Sequence, residues 1–321
     1  MDLIYTDAKR VDQGVLSAYS FDLSFGASEN DFEMTLGASE PTLQFGAFVY
    51  IEGTEYGGIV DGKNTNSNTN SITYKGRTWH GILNSKIVEP DPGADYLIVS
   101  GDANQVIAEL IERFGLGSLF VADSELSGIK ITNYKFKRYC LGYDEICDML
   151  SSKGAKLKIV WQDRTVLLRA EPIVDYTKAP IDGDMATLKV EQQKNKVNHM
   201  ICLGRGDLAE REVIHLYVDQ FGAIGSTQYY TGLDEIAEVY ENTNAESSDD
   251  LRSGGISRLK ELWNADKAEM SLNENNDLIY DIGDIVGVSD IKSGSSVTAA
   301  VNQKIVKIKN GAIRTEYKTG G

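Results

Sequence analysis

The segment from Ile72 to Phe114, ITYKGRTWHGILNSKIVEPDPGADYLIVSGDANQVIAELIERF, constrains the fold more than any other part of the chain. A strand ends in Lys75-Gly76-Arg77. A short stretch from Thr78 to Val88 then runs into Pro90 and Pro92, and an amphipathic helix follows Gly101-Asp102. Asp102 fits the N-cap, with Gln105 placed to complete a capping box. Val106, Ile107, Leu110, Ile111 and Phe114 fall on one helical face, and Gly115 ends the helix. Pro90-Asp91-Pro92-Gly93 punctuates the chain as a boundary. The apolar period changes across this punctuation from that of a strand to that of a helix, so a β domain gives way to an α/β one.

Upstream, the sequence reads as strands. Leu16 to Leu23 and Asp31 to Leu36 alternate apolar and polar residues. Phe48 to Ile51 and Tyr56 to Val60 flank a turn at Glu52-Gly53-Thr54. Gly62 to Ser71 is polar, small and turn-rich, as expected of an exposed hairpin tip or loop. Short strands with frequent turns predict a small closed barrel or sandwich over residues 1–95. The 31 Gly, 5 Pro and 16 Tyr of the 321 residues suit such a β-rich chain.

Residues 96–178 read as a small α/β module. A second helix runs from Gly142 to Leu150 and stops at Lys153-Gly154. A hairpin follows, from Lys156 to Val160 and Thr165 to Arg169 around a turn at 161–164. The β pattern returns at Leu188-Lys189-Val190, Val197 to Leu203 and Glu212 to Val218. An insertion around 226–274 is expected to be helical over Asp234 to Tyr240 and Asp250 to Glu269, with Leu259, Leu262 and Trp263 as its apolar stripe. The tail from Leu278 to Ile313 holds three or four strands, and Asn310-Gly311 is a strong hairpin signal. Residues 179–321 would then form a second β-barrel carrying the insertion. The expected fold class is mainly β with α+β elements: two related β-barrel domains, an α/β module and a helical insertion.

The net charge of −16, from 48 Asp and Glu against 32 Lys and Arg, excludes a duplex-binding face and argues against anionic membranes. Lys135-Phe136-Lys137-Arg138 is the one basic cluster and reads as an exposed strand face. Three cysteines, Cys140, Cys147 and Cys202, make neither a disulfide framework nor a zinc motif. The chain carries no apolar signal core and no apolar run of about 18 residues, so folding in a reducing cytoplasm is expected.

Catalytic signatures are missing from the sequence. Arg205-Gly206-Asp207 reads as a charged hairpin turn. His80, His199 and His215 lack metal-ligand spacing, although His199 and His215 could meet across adjacent strands. Glu246 to Asp250 reads as a solvated loop and helix cap. No catalytic, cofactor-binding or metal residue is assigned, no cofactor is expected, and no enzymatic activity is expected.

Three blocks carry a family resemblance: Tyr74 to Trp79 with Ile82 to Val88, the helix around Asn104 to Ile111, and Tyr280 to Gly287 followed by Val301 to Ile308 and Tyr317 to Gly320. Together they resemble the tail hub proteins of phages and prophages of Gram-positive bacteria, similar to the baseplate hub of contractile phages and related injection systems. The resemblance implies a homotrimer whose paired barrels form a ring joining the tail tube to the tip. Its expected partners are tail tube or distal tail proteins, the tape-measure protein and spike or tip proteins. DNA would pass without being held, and an acidic lumen would repel phosphates. The protein would be a virion tail component assembled in the host cytoplasm. The alternative is a cell-wall carbohydrate-binding or hydrolytic tail module, in which Tyr229, Tyr230 and the three Trp stack on sugar rings.

Overall fold

A computed structural model describes residues 2–27, 29–65, 71–177, 186–191, 196–220, 222–243, 245, 247–263, 267–272, 279–290, 295–309 and 311–320. The strands up to the first punctuation are β1 Leu3–Thr6, β2 Asp12–Leu16, β3 Tyr19–Gly26, β4 Asp31–Gly37, β5 Phe48–Tyr50, β6 Gly57–Thr65, β7 Ser71–Thr78 and β8 Ile87–Val88, with helix α1 at Trp79–Asn84. The module holds β9 Ile98–Asp102, α2 Ala103–Arg113, β10 Phe120–Ala122, β11 Lys130–Lys135, β12 Cys140–Leu141, α3 Gly142–Ser151, β13 Ala155–Gln162 and β14 Thr165–Pro172. Then come β15 Ala186–Glu191, β16 His199–Leu203, β17 Val213–Val218, β18 Ile224–Gly225, β19 Ala237–Glu241, α4 Ser248–Trp263, β20 Lys267–Leu272, β21 Ile285–Asp290, β22 Ser295–Lys309 and β23 Ala312–Gly320. The protein is mainly β with α+β elements.

The chain divides into two compact units, residues 1–188 with 269–319, and residues 189–268. In the first unit a sheet runs in the order β2-β1-β5-β6-β7-β4-β3-β22-β23, with β21 beside β22. The N-terminal strands and the C-terminal strands therefore share one sheet, where two separate barrels were expected. The physical reason is the length of β22. Its first half pairs with β21, from Ser295 opposite Asp290 to Ala300 opposite Ile285. Its second half pairs with β3, from Gln303 opposite Gly26 to Lys309 opposite Ser20.

Alternation places the core as expected. Phe32, Met34 and Leu36 of β4 are buried while Asp31 and Glu33 face out. They pack with Phe21, Leu23, Tyr74, Val306 and Ile308 on one face of the sheet. A second core joins α1, α2 and α3 to β13 and β14. Asp102 caps α2 by accepting the Asn104 N–H at 3.0 Å, and Val106, Ile107, Leu110 and Ile111 are buried. The β13–β14 hairpin turns on Asp163 and Arg164, both left-handed at φ 50° and 65°, which matches a two-residue turn.

In the second unit β18-β17-β16-β19 form a four-stranded sheet. Met200, Cys202, Leu216 and Val218 pack with Leu251 and Leu259 of α4. Here the helix expected over 234–240 is corrected. Residues Ala237–Glu241 are β19, parallel to β16. The stretch has a strand-like alternation too short to outvote its helix-forming Glu and Ala residues, and sheet pairing decides it. Helix α4 also ends at Trp263 rather than Glu269. Its Gly254-Gly255 pair is explained by close packing: a Cβ on Gly255 would lie 2.2 Å from Cys202 Sγ. The hairpin signal at Asn310 and part of the polar run 62–71 lie outside the described residues.

Candidate functional site

The segment that leaves β7 is a structural joint. Lys75 pairs with Glu33 at 2.9 Å, and the Arg77 guanidinium grips Asp61 through two bonds of 2.8 and 2.9 Å. Gly76 is required between them, because a Cβ there would sit 1.8 Å from the Ile59 carbonyl oxygen. Thr78 caps α1 by accepting the Gly81 N–H. Both following aromatic rings turn inward. Trp79 stacks on Trp161 with centroids 5.0 Å apart. His80 stacks on Phe25 at 4.5 Å.

Behind this joint lie two buried ionic clusters that sequence reading missed. Lys304 of β22 is 1% exposed and donates to Glu55 Oε1 at 2.5 Å. The other Glu55 oxygen faces His80 Nε2 at 3.6 Å. Burial alone would raise the Glu55 carboxyl, but the Lys304 charge and the His80 ring hold it far below the usual range. Burial opposes the charge on Lys304, and Glu55 nevertheless holds it well above an ordinary lysine. Both shifts describe one ionised pair. A signal for it existed: Lys304 is in phase with Val306 and Ile308, on the buried side of a strand.

The second cluster clamps the module's β13 to the turn before β21. Lys156 Nζ donates to Asp284 at 2.7 and 2.9 Å and to Asp281 at 3.0 Å. Lys158 donates to both Asp281 oxygens at 2.8 Å. Asp284 also accepts the backbone N–H groups of Val174 and Asp281. Burial pushes the Asp281 carboxyl up, and the bonds from Lys158 and Lys156 outweigh it and hold it low. Two cations and two anions with their hydrogen bonds satisfied can hold two elements in one register.

In the second unit, His199 and His215 do meet across strands, with Nε2 and Nδ1 2.8 Å apart. Glu235, which sequence reading did not connect to them, faces His199 Nδ1 at 2.6 Å. The three side chains form one hydrogen-bonded chain. No group of three or more His, Cys, Asp and Glu that could hold a metal ion occurs among the described residues. Arg205, Gly206 and Asp207 lie in the β16–β17 connection, as the sequence indicated, followed by a 96% exposed Leu208. Of the basic cluster, Phe136 is buried, and Lys137 pairs with Asp148 at 2.7 Å, so no continuous basic face forms. Cys202 is buried, and Cys140 and Cys147 are half-buried free thiols. Trp79 and Trp161 are core residues, whereas Trp263 lies 6.0 Å from Tyr230, which touches Tyr229. No helix among the described residues is long and apolar enough to cross a membrane.

No family model matches the chain, and no curated protein matches it in sequence. Solved structures do match. The 43 kDa tail protein of prophage MuSo2 from Shewanella oneidensis is 12% identical, with 99% of this chain and 98% of that one covered at a TM-score of 0.60. The tail protein from Neisseria meningitidis MC58 is 11% identical, with 100% and 96% covered and a TM-score of 0.57. A chain of the phage P2 baseplate in its activated conformation is 11% identical, with 100% and 99% covered and a TM-score of 0.51. The chain has the fold of phage tail proteins.

Proposed function

We propose that this chain is a structural component of a phage-type tail, working as the hub of its baseplate and not as an enzyme. The observation that carries the reading is the extent of the likeness. It spans the whole chain and nearly the whole of each tail protein, so the complete architecture is shared rather than one module. The buried ionic clusters suit a rigid assembly part, because they lock sequence-distant strands without presenting reactive groups to solvent.

In this reading three copies form a ring. The N-terminal and C-terminal halves of the long sheet act as two quasi-equivalent segments of each subunit. Strand β2 ends the sheet order. Its Val15 and the neighbouring Val11 are 53% and 48% exposed, an edge that a neighbouring subunit would cover. Tail tube, tape-measure and tip proteins are the partners, and the net charge of −16 favours passage of DNA over its retention.

The second reading is a cell-wall carbohydrate-binding module. It is favoured by Tyr229, Tyr230 and Trp263, which the fold brings together in the second unit. Two measurements separate the readings. Particle electron microscopy with subunit counting should find three copies at the tail tip, and a two-fold dimer there would overturn the hub. Purified chain on peptidoglycan should neither pellet with it nor cleave it, and cleavage abolished by one His or carboxylate substitution would make it a hydrolase.

A further inference from the structure

A cleft of about 270 Å³ opens in the first unit between α3, β13, the end of β3 and the start of the β3-paired half of β22. Tyr143, Cys147, Leu157 and Val301 give it apolar lining. Asp144 and Asp148 stand on one side of it, four residues apart on α3 and therefore on the same helical face.

The charges around the cleft do not balance. Lys156 is in the lining, but Asp281 and Asp284 already hold its ammonium. Asp148 is paired with Lys137 on the exposed side of α3. The half-buried Asp144 carboxylate makes no ion pair among the described residues, and the side-chain amide of Asn84 is its hydrogen-bonding partner. Burial raises the Asp144 carboxyl, and the like charges of Asp148 and Glu145 raise it further, against the Asn84 bond and the Lys137 charge. A partly desolvated carboxylate beside other carboxylates is relieved by a cation brought from outside. An apolar floor below it suits a cation on a hydrocarbon stem.

We propose that this cleft is a docking slot for a lysine or arginine side chain of a partner protein, its stem on Tyr143 and Leu157 and its cationic head on Asp144. The excess of acidic over basic residues, 48 to 32, makes a basic partner a better electrostatic match than a second copy of this chain. The slot rests on the cleft alone and stands whether or not the chain is a ring-forming hub.

The test uses the full chain, isotope-labelled, and titrates it with n-propylguanidinium, the arginine side chain without its backbone, followed by amide NMR. Saturable shifts should centre on α3, Leu157 and Asn302, and n-hexanoate should give none. Asp144→Asn should weaken binding by about tenfold or more, the loss of one charge-assisted hydrogen bond. Ser151→Trp, which crowds the mouth of the cleft and keeps the charge, should weaken it as well. Thermal melts of both variants that match the parent chain guard against misfolding. Equal binding of hexanoate, shifts unaffected by both substitutions, or shifts that appear on concentrating the chain without probe would each overturn the slot, the last by placing a second copy in it.

Discussion

The two units solve the burial of a β-sheet in different ways. In the first, strands from both ends of the chain interlock, and the ion pairs that fasten them join residues 249 and 128 positions apart. In the second, four strands and one helix come from a single stretch of about 80 residues (Lys189–Ala268). There α4 covers one sheet face, while Val213, His215 and Val239 on the other remain exposed. The difference locates the specificity of each. The first unit depends on charges buried where distant segments meet, and the second on shape complementarity between a helix and its neighbouring strands.

The sharpest way to break that comparison is Lys304→Ala. It leaves Glu55 buried without its cation, which costs about 3–5 kcal/mol. The three tryptophans report on the units separately: Trp79 and Trp161 belong to the first core and Trp263 packs against the second. With 5-fluorotryptophan and fluorine NMR, urea should shift the Trp79 and Trp161 resonances at a lower midpoint while Trp263 keeps its own. Loss of all three together would mean that the units unfold as one.

The same pairs predict an acid limit. Glu55 and Asp281 are both held below their ordinary values in the folded chain. Their contribution is therefore complete above the unfolded carboxylate range of about 4 and is lost as pH falls through the folded values. The raised Lys304 belongs to the same pair, so its contribution is present at neutral pH, goes with the Glu55 charge in acid and is lost on the other side only in strong alkali. The urea midpoint of the Trp79 and Trp161 signals should be flat near neutrality and fall below about pH 4. The fall should be smaller in Lys304→Ala, where the Glu55 carboxyl is no longer held down.

Packing in the second unit is tested by Gly255→Ala. Alanine is the better helix former by about 1 kcal/mol. Its methyl would nevertheless meet Cys202 Sγ and Leu216 Cδ1, at 2.2 and 3.0 Å before relaxation, and overpacking of this kind costs about 1–3 kcal/mol. The Trp263 transition should move down while Trp79 and Trp161 stay in place. A gain in stability would mean that the helix is not seated on β16.

How much was legible in the sequence follows the same division between local and distant. Helix α2 was readable down to its Asp102 cap and Gly115 stop, because cap, stripe and stop all lie within one short run. The β13–β14 hairpin was readable for the same reason. The pairing of β22 with β3 was not, since strand partners far apart leave no trace in either segment. Neither was the Glu55–Lys304 pair, although a lysine in phase with Val306 and Ile308 was a usable hint. Strand β19 was misread as helix because residues 234–240 are too few for period 2 and period 3.6 to separate. Among the site residues, the approach of His199 to His215 was foreseeable from adjacent strands, but Glu235 reaches them through a connection whose path only the fold defines.

The smallest effect expected is at the entry to α4. The Ser247 hydroxyl accepts the Asp250 N–H at 3.2 Å, while its carbonyl accepts the Leu251 N–H at 3.0 Å. This is N-cap geometry, as the polar run before the helix indicated, and Asp249 and Asp250 in the first turn add favourable charge at the positive end of the helix dipole. Ser247→Ala removes the side-chain bond and should cost about 0.5–1 kcal/mol, whereas Ser247→Asp should restore the cap. Because α4 is the only helix packed on this sheet among the described residues, fraying of its first turn should loosen Leu251 before Leu259. Amide hydrogen exchange is the measurement: Ser247→Ala should raise exchange at residues 250–253 several-fold and leave 258–262 unchanged. Uniform acceleration along the whole helix would show that α4 leaves the sheet as a rigid piece, and the cap would then matter to docking of the helix rather than to its first turn.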